Sequence, residues 1–278
     1  MNQMRFFVLF AMRLRKSLGF SFLGNLHYLS LIRVFQLSLK NQLRFRLAFS
    51  KNLLPNFIFY IRNAVKVNNE IIYKVLEEKD LHQTINCLAK VFPNDNPLLR
   101  AVGMTPDEYY PIAETVCKLA VKHDCSYITI DKNNGEIIGF LLCKDLMSQE
   151  NELKNLSEFS QRVRPIRTLI DTICAGYTQE KKVISGDVIN LLMLGVKKEY
   201  RGQGIASHLV VQTLEKARRK GFKIAISQAV HTRAQQIFLN LDFKEIFSVE
   251  YGSYSFQGVK PFEKIIGHTI CSLMEKIL

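Results

Sequence analysis

Residues 194–206 read Leu-Gly-Val-Lys-Lys-Glu-Tyr-Arg-Gly-Gln-Gly-Ile-Ala, and this stretch decides the fold. A nearly continuous apolar run, residues 188–194, leads into it, which is typical of a central strand covered on both faces. After it, residues at helical spacing predict a half-buried helix that ends at Gly221. The members of that stripe are Ala206, Leu209, Val210, Thr213, Leu214 and Ala217. The sequence therefore predicts a strand, a basic turn and a helix in direct succession.

The turn has the chemistry of a pyrophosphate site. A diphosphate needs several main-chain N–H donors that converge in front of a positive helix terminus. Gly202 and Gly204 lack a Cβ, so they allow close approach of a ligand and positive φ. Arg201 adds a fixed positive charge. The predicted ligand-binding residues of the turn and helix start are Arg201, Gly202, Gln203, Gly204, Ile205, Ala206 and Ser207.

Three other interpretations of the two glycines are weaker. A dinucleotide fingerprint requires Gly or Ala where Ser207 stands, and an acid about 20 residues on, whereas no acid occurs between Glu215 and Asp242. A P-loop requires a following Gly-Lys-Ser/Thr, which is absent from the sequence at this point. An ordinary glycine turn stays open for Gly-x-Gly alone, but Arg-x-x-Gly-x-Ala between a strand and a helix disfavours it.

The motif resembles the signature of the GCN5-related N-acetyltransferases (GNAT), which is Gln/Arg-x-x-Gly-x-Gly/Ala after the fourth strand. Arg201, Gly204 and Ala206 match it, and the resemblance extends from about Ile71 to the C-terminus. It implies the GNAT fold, an α/β (α+β) architecture with a central, mixed, mostly antiparallel sheet and helices on both faces. The middle strands of that sheet would splay apart and bind acyl-CoA. Leu194 and Val196 would then offer main-chain groups to acetyl-CoA, the co-substrate of the family.

A narrower likeness is to the arylalkylamine N-acetyltransferase-like branch of that superfamily. Residues 92–98 resemble the Phe-x-x-x-Glu-Pro-Leu segment of the branch, and residues 251–262 resemble its Tyr-rich tail. A long insert, residues 145–185, precedes the fourth strand. In the resembled branch such an insert lies near the acceptor pocket.

The residues expected for catalysis depart from the family. The usual acid is a Tyr four residues after an Ala, and here Phe238 follows Ala234 at that spacing. The branch carries Glu before Pro-Leu, and here that residue is Asn96. The remaining candidates are Asp95 as a base acting through water, and Tyr251 or Tyr254 as the acid, with water as the alternative.

His231 occupies a position where many relatives have Asn near the cofactor, so we expect a polar contact or an exposed side chain there, with base catalysis as the lesser alternative.

These features predict an acetyl-CoA-dependent N-acetyltransferase that acts on a primary amine, expected to be a small molecule. The amine would attack directly in a ternary complex. The alternative is a non-catalytic acyl-CoA-binding or regulatory domain, which Phe238 and Asn96 favour.

The net charge of +13 is concentrated at the N-terminus. Residues 1–66 hold 11 of the 38 Lys and Arg and no acid, which leaves 27 basic residues against all 25 acids in residues 67–278, the predicted catalytic domain. The basic segment is typical of a transit peptide or of a peripheral membrane contact, and the third alternative is an extension without an evolved role. No apolar run in it reaches the ~18 residues of a membrane span. We expect no nucleic-acid partner, because no recognisable binding module accompanies the charge.

Six cysteines and six histidines are dispersed along the chain without Cys-x-x-Cys or paired His spacing. We therefore expect no metal site and a reduced intracellular compartment, cytoplasmic unless the N-terminal segment directs organelle import.

The remaining elements follow from local signals. We expect a strand at residues 71–75, a helix capped by Asp80, and a loop over residues 93–103. The capping box Thr105-Pro106-Asp107-Glu108 predicts a helix to about residue 122. The Asn134-Gly135 pair predicts a hairpin of residues 127–130 and 136–143. The insert is expected to be helical and interrupted by Pro165. The resemblance implies a fifth strand at 222–227 and a following helix at 233–241, and two more strands are expected at 244–251 and 269–274.

Overall fold

The computed structural model describes residues 70–148 and 160–278. All of the described residues belong to one compact unit. The predicted segment 1–66, with its transit and membrane alternatives, lies outside the described residues, as does part of the insert. None of the helices in the described ranges combines the length and the apolar character that crossing a bilayer requires.

Seven strands form one mixed sheet in the order β1-β2-β3-β4-β5-β7-β6. Neighbouring strands are antiparallel except for the parallel pair β4 and β5, so the predicted mostly antiparallel sheet is confirmed. The strands are β1 Ile71–Val75, β2 Tyr127–Asp131, β3 Ile137–Asp145, β4 Val188–Val196, β5 Ile224–Ala229, β6 Lys244–Glu250 and β7 Ile270–Ile277.

Six α-helices accompany the sheet within the described ranges. They are α1 Leu81–Asp95, α2 Pro97–Ala101, α3 Pro106–Lys122, α4 Arg164–Lys181, α5 Ile205–Arg219 and α6 Thr232–Asn240. The start of α3 is confirmed, because the Glu108 N–H donates to Thr105 Oγ1 at 3.3 Å and the Thr105 N–H donates to Glu108 Oε2 at 3.0 Å.

Three local predictions differ from the structure, one of them only in the cap bond. The expected loop at 93–103 is helical, because α1 continues to Asp95 and Asn96 caps α2. Asp80 is the N-cap residue of α1, as predicted, but its side chain makes no cap bond; its carboxylate instead accepts the Glu77 N–H in a preceding 3₁₀ turn. Pro165 lies in the first turn of α4, where its missing N–H leaves no helical bond unmade, so it begins the helix rather than interrupting it.

Helices cover both faces of the sheet, as predicted. Phe140 and Leu142 of β3 belong to the core cluster that α1 and α3 cover. Gly139, the residue before Phe140, faces the opposite way, since a Cβ placed there would lie 3.5 Å from Ile205 Cγ2 at the start of α5. The helix α4 covers the same face as α1 and α3, because Ile166 packs against both the α1–α3 cluster and the cluster beneath α4.

The parallel pair β4 and β5 separates after three residues. Residues 188–190 pair with residues 224–226, and the remaining six residues of β4 have no register partner on β5. At the point of separation Ser227 Oγ donates to the Leu191 carbonyl oxygen at 3.0 Å. A β-bulge adds to the divergence, since Leu142 faces Met193 whereas Cys143 faces Leu191, which leaves Leu192 as the extra residue. The predicted splay of the middle strands is therefore confirmed.

Candidate active site

The turn between β4 and α5 presents main-chain donors to one side of the opened sheet. Gly202 and Gly204 have φ of +76° and +80°, as their positions in the motif predicted. Gly204 is the N-cap of α5 and has no side chain to bond the first turn. The His208 N–H closes the first helical bond, to the Gly204 carbonyl oxygen at 3.0 Å, so the N–H groups of residues 205–207 have no intrahelical partner. These orphan donors at a positive helix terminus fit a diphosphate.

Beyond the point where β4 and β5 separate, Gly195 allows β4 to pass close to Phe140 of β3. Gly195 lies opposite Phe140 of β3, and a Cβ at Gly195 would lie 2.4 Å from Phe140 Cζ. The Phe140 ring is fully buried, so it has little room to withdraw. Leu194 and Gly195 themselves are partly exposed, so their main-chain groups are accessible to a ligand that enters between the strands. An acyl-CoA arm fits this edge, because the edge offers unpaired strand groups to an extended chain.

Arg201 joins three elements of the site. Its Nε donates to the Val196 carbonyl oxygen at 3.0 Å, at the end of β4. Its Nη2 donates to the Asp95 carboxylate, at the end of α1. Two residues that the sequence indicated separately, one for the phosphate and one for base catalysis, therefore form an ion pair. Through this ion pair, the turn between β4 and α5 contacts α1, the helix that precedes Asn96.

The environment of Asp95 opposes simple base catalysis. Burial raises the pKa of the Asp95 carboxyl above its ordinary value, and the nearby Arg201, Arg233 and Arg100 offset part of that rise. Arg201 also occupies one carboxylate oxygen through the ion pair. Proton transfer from an amine would compete with that pair, so the geometry is better suited to holding Arg201 in place.

Asn96 has a structural role at the position where the resembled branch carries Glu. Its Oδ1 accepts the Leu98 N–H at 2.9 Å and the Leu99 N–H at 3.3 Å, which caps α2. The residue is only 9% exposed. Glu is one methylene longer, so its carboxylate oxygen would not reach the same position. The short side chain of Asn96 therefore suits the cap. Sequence reasoning assigned Asn96 to a loop and missed this cap, although Asn followed by Pro is a helix-start signal.

His231 caps the helix α6 at the end of β5. Its Nδ1 accepts the Arg233 N–H at 2.9 Å, and its ring lies 3.9 Å from the ring of His268. Burial, followed by the influence of His268, Arg233 and Arg201, lowers the pKa of His231 to about 4. The imidazole is therefore neutral near neutral pH, and the nitrogen that would accept a proton already accepts the helix N–H.

The two candidate tyrosines both donate to main-chain carbonyls. Tyr251 is 1% exposed and its hydroxyl donates to the Val230 oxygen at 2.8 Å. Tyr254 is less buried, and its hydroxyl donates to the Pro165 oxygen at 2.9 Å. Burial raises the pKa of both phenols. Phe238, at the family's Tyr position, is buried and packs against Phe243 with ring centroids 4.9 Å apart.

No cluster of three or more His, Cys, Asp or Glu that could hold a metal ion occurs within residues 70–148 and 160–278. The cysteines carry free thiols, and all but Cys174 are buried.

The sequence of the chain matches a known protein family. The sequence model of the acetyltransferase (GNAT) family matches residues 95–243, which is more than half of the chain. The matched region contains the glycine turn between β4 and α5, both separated strands and the caps formed by Asn96 and His231.

Solved structures share the fold. Arylalkylamine N-acetyltransferase 2 from Aedes aegypti is 22% identical with a TM-score of 0.66, over 75% of this chain and 99% of that one. The C-terminal condensation domain of Ebony, in complex with beta-alanyl-dopamine, is 17% identical with the same TM-score and the same coverage of both chains. The polyamine N-acetyltransferase of Drosophila melanogaster is 15% identical with a TM-score of 0.63, over 75% of this chain and 100% of that one. The family match is consistent with the separated strands β4 and β5 and with the glycine turn that follows β4. The chain belongs to the acetyltransferase (GNAT) family of acetyl-CoA-dependent acyltransferases.

Proposed function

We propose that the chain transfers the acetyl group of acetyl-CoA to the primary amine of a small molecule, by direct attack of the amine in a ternary complex. The observation that carries this proposal is the juxtaposition of the orphan N–H groups of α5 with the separated edge of β4. The first fits a diphosphate, and the second fits an extended arm that leads to the reacting group.

Each part of the chain has a distinct task in this reaction. When bound, acetyl-CoA supplies a thioester carbonyl that a neutral amine attacks and a thiolate that leaves. The turn residues 201–207 would hold the phosphates, and the main chain of Leu194 and Val196 would orient the arm. A main-chain N–H aimed at the carbonyl oxygen stabilises the charge that develops there, as preorganised donors do in acyl transfer. No nucleophilic side chain is required, because the amine attacks the thioester carbonyl directly.

We propose Asp95 as a positioning residue that acts through Arg201. The ion pair supports this role, since it fixes the guanidinium between the end of β4 and the end of α1. The expectation of a base acting through water remains a second assignment for the same carboxylate. Asp95→Asn separates them, because the amide still accepts from Arg201 and cannot take a proton. A positioning role predicts that the variant keeps the pH dependence of kcat and most of the acetyl-CoA affinity, whereas a base role predicts a large fall in kcat and an altered pH profile.

Of the two phenols, Tyr254 is the better candidate to protonate the thiolate, because it is less buried than Tyr251. Its proton would have to leave the Pro165 carbonyl oxygen first. A thiol with a pKa of about 8.5 is also a tolerable leaving group near neutral pH, so water can serve instead. Tyr254→Phe is expected to lower kcat less than tenfold if water is the proton donor.

The test of the proposal is thiol release from acetyl-CoA with a panel of primary amines, which includes arylalkylamines, linear diamines, amino acids and peptide N-termini. Turnover with a small amine, and none with peptides, would support it. Phe238 and Asn96 favour a second candidate, an acyl-CoA-binding domain without turnover. Tight acetyl-CoA binding together with no thiol release across the whole panel would support that candidate and contradict ours.

A further inference from the structure

Asn190 of β4 carries a buried polar atom without a partner. The residue is 3% exposed, and its Oδ1 accepts no hydrogen bond from any described group. A carboxamide oxygen left unpaired in a protein interior costs about 1–3 kcal/mol, so its retention calls for a physical reason. Asn190 is also the last residue of β4 that pairs with β5, where it faces Ile226. The unpaired oxygen therefore lies at the closed end of the opening between the two strands.

The side chain of Asn190 lies on the face that α4 covers. Val188, two residues earlier on the same strand, belongs to the core cluster beneath α4, as does Ile226. Directly opposite Asn190 on β3 stands Lys144, which shares the face of Leu142 by alternation. Two residues after Ile226, Gln228 donates its Nε2 to Cys174 Sγ of α4 at 3.2 Å. Asn190 thus has polar neighbours on that face, beneath the helix of the insert.

Partly exposed residues flank this buried oxygen. Gln228 is partly exposed, and so are Met193 and Leu194 along β4. The bond that holds Gln228 is a weak N–H···S contact, so little free energy opposes movement of its amide. Burial raises the pKa of Cys174 to about 11, so the thiol is neutral at physiological pH. The surroundings are better suited to a neutral donor than to a cation, which is costly to bury without a countercharge.

We propose that Asn190 forms a distal subsite of the acceptor pocket and accepts a hydrogen bond from a neutral donor, such as a hydroxyl, at the far end of the amine substrate. This inference rests on the proposed function, in which the main chain of Leu194 orients the acyl-CoA arm, and it places the reacting group beside Leu194. Leu194 lies four positions beyond Asn190 on β4, which corresponds to at most about 13 Å because the bulge at Leu192 shortens the span. A hydrogen bond of about 3 Å and an attack distance of about 3 Å leave at most roughly 7 Å between the reacting nitrogen and the distal donor of the acceptor.

The test measures binding of two matched amines to the full chain saturated with CoA, so that no turnover occurs. Phenethylamine and tyramine differ by one para-hydroxyl. We expect tyramine to bind about 3- to 10-fold more tightly, which is the worth of one hydrogen bond to an otherwise unpaired acceptor. Asn190→Leu should bring the ratio to about 1 while the melting temperature stays the same or rises, because a buried unpaired group is removed. Pentylamine and 1,5-diaminopentane form a second pair, for which we expect no Asn190-dependent difference.

Thr213→Val is the matched control. Thr213 Oγ1 is also buried without a partner, but it lies on α5 and outside the opening between β4 and β5. It should leave the tyramine preference unchanged. If Asn190→Leu does not fold, Asn190→Val, which is smaller and β-branched, replaces it.

Several results would overturn the subsite. They are equal binding of the two arylalkylamines by the natural chain, a preference that survives in the Asn190 variant, and a preference for the diamine that Asn190 controls. A marked loss of stability with no change in the binding ratio would also overturn it, because it would assign the oxygen to a structural water. A separate titration with CoA tests the proposed function, so loss of CoA binding is distinguished from loss of the subsite.

Discussion

Replacing Gly195 with Ala should destabilise the chain through a single clash. The new Cβ would lie 2.4 Å from Phe140 Cζ and 3.0 Å from Cε2, and the ring is fully buried in the core between β3 and α1. Forcing a methyl into a closed core costs about 1–3 kcal/mol. For a domain of this size each kcal/mol corresponds to roughly 2–4 °C in melting temperature. Because the strain falls on the separated half of β4, acetyl-CoA affinity should fall as well.

Urea unfolding followed by far-UV circular dichroism gives the free energy, since the chain has no Trp. Phe140→Leu should relieve the clash, so the double variant should be more stable than the sum of the two single losses predicts, by about 1 kcal/mol. Gly202→Ala is the control. Its Cβ would meet nothing within 4 Å, and it should show only the cost of its φ of +76° and no coupling to Phe140→Leu. Additive losses in Gly195→Ala and Phe140→Leu would refute the reasoning.

Three further predictions concern the caps and the altered family positions. Asn96→Ala should cost about 0.5–2 kcal/mol in urea unfolding, whereas Asn96→Asp should cost much less, because only the latter keeps the oxygen that caps α2; equal losses would contradict the cap. The pKa of His231 is lowered from 6.5 to about 4, so the folded state resists protonation and the free energy of unfolding should fall as the pH drops from 6.5 toward 4. In His231→Asn the melting temperature should depend less on pH between 6.5 and 4. An unchanged pH dependence would contradict this prediction. Phe238→Tyr should lower stability by about 1–3 kcal/mol without raising kcat, because the ring is buried against Phe243; a tenfold gain in kcat would show that the family's hydroxyl is missing.

Features coded within a few residues could be predicted from the sequence. The α3 capping box, the hairpin at Asn134-Gly135 and the positive φ of Gly202 and Gly204 each depend on local backbone chemistry, and the structure has all of them. The loop expected at 93–103 is helical although the segment holds two prolines, because Pro93 lies inside α1 and Pro97 occupies the first turn of α2. A proline in a first turn removes only an N–H that would be unbonded, so the same residue type can signal a start or a stop.

Contacts between distant parts of the chain could not be predicted. Asp95 and Arg201 are 106 positions apart, and no periodicity relates the end of α1 to the turn after β4. The pairing of His231 with His268 depends in the same way on where β7 begins relative to α6. The resemblance indicated that the middle strands splay, but only the register shows that pairing stops at Asn190. The sequence alone therefore could not predict the unpaired oxygen of Asn190.

The most direct test of the account is calorimetric titration of the chain with acetyl-CoA, repeated with Gly204→Val. The φ of +80° at Gly204 is strongly unfavourable for a β-branched residue, so the variant should turn the first N–H groups of α5 away from the ligand. Gly221→Val is the matched control, because Gly221 has a φ of +93° just beyond the opposite end of the same helix. We predict saturable binding by the natural chain, a loss of at least tenfold in Gly204→Val, and natural affinity in Gly221→Val. No binding by the folded natural chain, or equal binding by Gly204→Val, would contradict the assignment of this turn as the acetyl-CoA site.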